Sequence, residues 1–268
     1  MEVSRQDVGA AAVFLVIGGA LLSAMAPTPN GPSPLTFSNL RTIGQGIAAY
    51  REDHAGYYPI VLTYSRGSTQ QLGVSLEGWC TWQFGGKNNN GFWGFRVFDV
   101  EAADRPLNPY VVPDEFFAAP PFPTRMPASY PARATAQAPM FHDPGDLATH
   151  QRNWPSATSG ISAYDDVGTS YHTNMDWWNS ISGTFMARFA EGTRRLAVGE
   201  GVDPSRFVVV SDEFSAIITN TSNLRLQVVN GYGDRNFVPL LFVDGHATYE
   251  RLSPAVRTTA RYTFTFEP

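Results

Sequence analysis

The sequence predicts an α+β chain with three parts: an N-terminal transmembrane helix, a proline linker, and a domain in which one helix packs on a mainly antiparallel sheet. Three observations predict it. An uncharged run covers Val8 to Ala26. Prolines crowd the stretch that follows it. Beyond them an amphipathic segment precedes several short β-branched and aromatic runs separated by turn residues. The expected boundaries are 1–26 for the anchor, 27–37 for the linker and 38–268 for the domain.

The anchor is expected first. The run "VGAAAVFLVIGGALLSAMA" would reach roughly 28 Å as a helix, about the thickness of a hydrocarbon core. Gly9, Gly18, Gly19 and Ala20 would form its small-residue packing face. A cleaved signal peptide ending at "SAMA" and a buried core helix are the competing readings. Arg5 precedes the run and the next basic residue is Arg41, which puts the N-terminus in the cytoplasm and the domain outside, on a single-pass inner-membrane protein. The linker "PTPNGPSP" reads as extended polyproline chain.

The domain begins with "SNLRTIGQGIAAYREDHAGYYP", residues 38–59. Leu40, Ile43, Ile47 and Tyr50 recur at helical spacing and should face the sheet, with Ser38 or Asn39 as the cap. Gly44 and Gly46 permit close packing, and Gly56 with Pro59 ends the helix. The "GGKNNNG" stretch between aromatic runs predicts the tip of a long hairpin. From Pro106 to Pro155 prolines are frequent and regular structure should be sparse. "SYHTNMDWW" (170–178) reads as a strand or extended segment, "FMARFAEGTRRLAVGE" (185–200) as the second helix and "RFVVVSDEF" (206–214) as a buried strand. Two or three strands should surround "NGYGD", and "RYTFTFEP" alternates like an edge strand.

Composition narrows the function. A net charge of −5 gives no basic footprint for nucleic acid. Cys80 is the only cysteine, so no disulfide forms within the chain, and its setting in "GWCTWQF" reads as a small buried hydrophobe. No G-x-S-x-G, P-loop or G-x-G-x-x-G is present. Five histidines and several carboxylates allow a metal reading, a carboxylate Ca²⁺ site or a His/Asp Zn²⁺ site, with Asp143, Asp146, Asp244 and His246 as the residues. Asp-Gly and Asp-Pro-Gly are foremost tight-turn sequences, however. The expectation is therefore no catalytic residue, no cofactor and no metal. Trp79, Trp82, Trp93, Trp177 and Trp178 could stack on sugars, but the expectation is that they fill the core.

The order of motifs carries a resemblance. The apolar N-terminal run and the 38–59 segment are followed by "RPLNPYV" (105–111), "FHDPGD" (141–146), "TSYHTN" (169–174) and "NFVPLLFVDGHATY" (236–249). Across nearly the whole chain this is similar to the pseudopilin and prepilin-like proteins of the type II secretion and type IV pilus group, in particular the large planctomycete-type proteins with a C-terminal His-x9-Asp-Gly region. The prepilin peptidase site is missing from "MEVSRQDVGAAAVF", the leading His of the last motif is missing, and no acid stands between Val8 and Ala26. The resemblance implies a helix on an antiparallel sheet without the filament-building part. The expected role is a non-catalytic accessory subunit that braces a larger secretion, energy-transducing or photosynthetic membrane complex from its extracytoplasmic side. Its partners would be other membrane-protein subunits, with no nucleic acid and no small-molecule substrate. The alternatives are a filament pseudopilin and a carbohydrate- or Ca²⁺-binding surface module.

Overall fold

Ser33 and Pro34 start the first helix, α1, which spans Pro34–Asp53. The Ser33 hydroxyl accepts the Leu35 N–H at 3.2 Å, and Pro34 occupies the first turn, where a missing N–H costs nothing. The helix therefore begins inside the expected linker, four residues before Ser38, and Ser33 replaces Ser38 and Asn39 as the cap. Asn39 is instead buried and donates to the His142 carbonyl at 2.8 Å. At the other end the Gly56 N–H closes onto the Arg51 carbonyl at 2.8 Å with Gly56 at φ +83°, a conformation that favours glycine.

The computed structural model describes residues 31–64, 76–93, 100, 102–112 and 137–267. Residues 8–26, with Gly9, Gly18, Gly19 and Ala20, lie outside them. Among the described residues no helix is long and apolar enough to cross a membrane, which corrects the expected transmembrane architecture. α1 has the length, at 20 residues, but carries Arg41, Arg51, Glu52 and Asp53 beside a narrow apolar stripe. Such a helix lies on a core. Its stripe is the expected one: Leu40 and Ile43 are fully buried, Ile47 nearly so, and Tyr50 is half-buried against the same cluster.

Two small antiparallel pairs come first in the chain, β1 (Val61–Tyr64) with β2 (Leu76–Cys80) and β3 (Ala148–Thr149) with β4 (Thr158–Ser159); the sheet beneath α1 is four-stranded and antiparallel, in the order β5 (Tyr171–Thr173), β6 (Val208–Asp212), β7 (Phe237–Phe242) and β8 (Ala247–Arg251). Tyr171 pairs with Asp212, Val208 with Phe242 and Phe237 with Arg251. Both faces are covered. Leu241 points to the α1 side, where Gly44 lets the helix approach it closely. Val238, Leu240 and Phe242 point the other way, to a second cluster with Ile218, Leu252, Tyr262 and Phe264. A strand buried on two faces reads as a continuous apolar run, as β6 and β7 do.

Other elements depart from expectation. Residues 81–93 form turns and a short 3₁₀ segment at Gly91–Trp93 instead of a hairpin tip. The strand before them, β2 (Leu76–Cys80), pairs with β1 (Val61–Tyr64). The polar tip has other partners: Asn88 accepts the Ala102 N–H, Asn89 accepts from Arg105, and the Lys87 and Asn90 N–H groups donate to Gly168 and Asp166 carbonyls. The turn joining β7 to β8 is Asp244-Gly245, not "NGYGD", and residues 229 and 235 make only an isolated bridge. The C-terminal segment forms isolated bridges and no edge strand; it covers the second cluster with Tyr262 and Phe264 and reaches the first with Phe266. After two short helices, α2 (Asn108–Val111) and α3 (Ala163–Val167), the expected helix of residues 185–200 is α4, Phe185–Val198, capped by Thr184 and closed by Gly199 in the left-handed conformation.

Candidate functional site

Cys80 comes out as the sequence suggests. It is buried with Trp82, Trp93, Ala163 and Val167, and burial pushes its thiol well above the ordinary range. Such a thiol is inert. Trp82, Trp93 and Trp177 are buried as expected, Trp178 is half-buried, and the Trp79 side chain lies outside the described residues.

Two places gather chemistry. The first is a knot of carboxylates. Asp143, Asp146, Asp212 and Glu213 line one cavity of about 20 Å³ with Tyr232 and Asn230. Each acid clasps chain. Asp143 accepts the Gly145 N–H at 2.7 Å, the Thr36 hydroxyl of α1 and the Tyr232 hydroxyl. Asp146 accepts the Ala163 and Tyr164 N–H groups, both at 2.8 Å, at the start of α3 (Ala163–Val167), and the Ser170 hydroxyl at 2.6 Å. Glu213 holds His150 through its N–H and its ring, and Gln151 through its amide. The structure thus brings Asp143 and Asp146 together as turn and loop fasteners. Asp244 and His246 bond to each other in the exposed β7–β8 turn, with Gly245 near Gly44 of α1. Gly44 lies about 12 Å along the helix from Thr36, the contact of Asp143. Among the described residues no group of three or more His, Cys, Asp or Glu side chains converges to hold a metal ion.

Burial raises the carboxyls of Asp143 and Asp212, and lifts Asp146 to about 7, against hydrogen bonds that pull each down. A carboxyl raised on folding holds a proton that the unfolded chain releases near pH 4, so stability falls as pH rises above that value. Buried His172 opposes this up to its unfolded pKa: desolvation pushes it down to about 4, and its contribution rises from there to about 6.5. Above pH 6.5 only the carboxylates act. We expect the melting temperature to go on falling between pH 6.5 and about 7, the range in which folded Asp146 still holds its proton. Asp146→Asn, which mimics the protonated form, should flatten that fall in a thermal melt; an unchanged slope would show Asp146 already ionised.

The second place is a cleft of about 340 Å³ beside the edge strand β5. Tyr171 faces the α1 side, and the next residue, His172, lines the cleft, as strand alternation requires. The His172 ring meets the Thr81 hydroxyl through Nδ1 at 2.8 Å, and Thr173 donates to the Thr81 carbonyl. Asn174 then turns the chain: its amide donates to the Val208 and Phe264 carbonyls, and its Oδ1 accepts the Asp176 N–H. This places Asp176 and Trp178 in the lining. Asp176 accepts from Thr219 at 2.6 Å and from Asn220 at 2.7 Å, with the Arg257 guanidinium 3.8 Å away.

Ser211 and Ser215 also line the cleft, but bond to each other at 2.6 Å, and Ser215 donates to the Asp212 carbonyl. Among the described residues no serine hydroxyl bonds the His172 ring, and His172, held neutral and reluctant to take a proton, is a poor base. The arrangement suits binding better than nucleophilic attack.

Sequence reading missed Arg105, Asn108, His172, Asn174, Asp176 and Trp154 as site or scaffold residues. The signal was present for most of them in "RPLN" and "SYHTN"; nothing in "NWP" singled out Trp154. Compared with family models, with curated proteins and with solved structures, the chain matches none of them.

Proposed function

We propose that this chain is a non-catalytic accessory subunit that braces a larger membrane-protein complex, using a pseudopilin-like helix-on-sheet domain. What supports this reading is the direction of the hydrogen bonds made by the motif residues. Arg105 and Asn108 of "RPLN", Asp143 and Asp146 of "HDPGD", and Asn174 of "SYHTN" all bond inward, to backbone and side chains of other segments. Residues spent on fastening loops fit a rigid scaffold; catalytic groups need free lone pairs or protons facing substrate. The extracytoplasmic placement and the membrane-protein partners belong to the same proposal and rest on the resemblance.

The test is gentle detergent extraction of native membranes, followed by isolation of the chain and identification of what accompanies it. The expected result is a particle far heavier than 29.4 kDa with partners in fixed ratio. Recovery of the chain alone, as a free monomer, would overturn the reading. Recovery in a regular fibre would favour the filament alternative.

A further inference from the structure

The cleft beside β5 brings together groups that suit one kind of ligand. Trp154 is 48% exposed, and Trp178 is half-buried. Trp82 stands 5.8 Å from the His172 ring, centroid to centroid. The polar lining includes Gln151, Asn179, Asn220 and the carboxylate of Asp176. His172 is only 7% exposed, and among the described residues its Nε2 has no hydrogen-bond partner. A buried polar atom without a partner costs about 1–3 kcal/mol, which marks a place where a partner is wanted.

Charge narrows the ligand class. The Arg188 guanidinium lies 5.7 Å from the centroid of the Trp178 ring, and Arg257 stands beside Asp176. Two positive charges at these positions disfavour a cation. Among the described residues neither arginine lines the cleft, and its one charged lining group is an acid, which disfavours an anion. Burial keeps His172 neutral near pH 7. What remains is a neutral ligand with an apolar face for an indole and hydroxyls for amides and a carboxylate. A hydroxyl both donates and accepts, so it suits the amides and the carboxylate of the lining alike. The volume, about 340 Å³, sits at the small end of the roughly 300–1,000 Å³ range of ligand pockets.

We propose that this cleft binds a short neutral saccharide, with Trp154 stacked on a sugar face and Gln151, Asp176, Asn179 and Asn220 meeting its hydroxyls. The site goes beyond the bracing role and does not depend on it. As a surface lectin site on a scaffold, it would let the subunit hold a neutral glycan while its other faces contact protein.

The experiment uses the full chain on an array of immobilised glucose, galactose, mannose, N-acetylglucosamine and their short homo-oligomers. Hits are then titrated in solution by tryptophan fluorescence. The expected result is saturable binding of at least one sugar. Trp154→Ala should weaken it about tenfold or more. Asn179→Ala, also at an exposed position, should weaken it less. Neither variant removes a buried side chain, so both should melt within about 2 °C of the parent. No binding at millimolar sugar, or binding unaltered in both variants, would overturn the proposal. So would saturable binding of tetramethylammonium or acetate at this cleft with no sugar bound.

Discussion

Arg105→Met should lower the melting temperature by about 10 °C or more, at a cost of about 3–5 kcal/mol. Arg105 is fully buried. Its guanidinium donates to the Gly85 carbonyl at 2.8 Å, the Asn89 side chain at 2.6 Å, the Val167 carbonyl at 3.2 Å and the Val100 carbonyl at 3.4 Å. Methionine fills much of the volume but leaves those acceptors without a donor, and an unpaired buried acceptor is the expensive outcome. Asn108, one helical turn on, repeats the device: it exchanges both amide bonds with the Gly86 backbone at 2.8 Å and donates to the Ala102 carbonyl. Arg105→Lys should recover little, because a point charge cannot reproduce a planar fork reaching separate segments. Thermal melts of the three proteins decide it. A shift under about 3 °C for the methionine variant would mean that water satisfies those carbonyls and that the motif is not a structural clasp.

Trp177→Ala should cost about 3–5 kcal/mol, again about 10 °C or more. Trp177 is fully buried, and its indole N–H donates to the Asn174 carbonyl at 2.8 Å. It packs against Phe266 and lies over Gly192 of α4, where an added Cβ would stand 1.9 Å from the ring. That contact explains a glycine in the middle of a helix. Alanine there would gain about 0.5–1 kcal/mol in helix propensity, but the overlap costs about 1–3 kcal/mol, so Gly192→Ala should destabilise. In the Trp177→Ala background the clash is gone and Gly192→Ala should turn neutral or stabilising. Additive losses in the double variant would show that the two residues do not meet.

The sequence by itself determined what depends on local periodicity. The stripe of Leu40, Ile43 and Ile47 repeats every three or four residues and is buried on the sheet. The run Val208–Val210 is apolar at every position because both faces of that strand are covered. Cys80 between aromatics is buried as a small hydrophobe. Gly56 ends a helix because its own φ is positive. Each of these signals lies within a turn or two of chain.

Tertiary structure alone decided what depends on partners far away in sequence. α1 could start at Pro34 because Ser33 caps it and Thr36 and Asn39 find buried partners at Asp143 and His142. The "GGKNNNG" stretch is not a hairpin tip because its donors and acceptors are taken by residues 102–105 and 166–168. The C-terminal alternation became a cover for the second core cluster because β8 and β5 already hold the edges of the sheet. The four carboxylates, and the indoles and amides of the cleft, come from segments scattered between residues 81 and 264. No local pattern brings such groups together: a hydrogen bond or a ring contact is set by where the backbone returns in space, and only the folded chain fixes that.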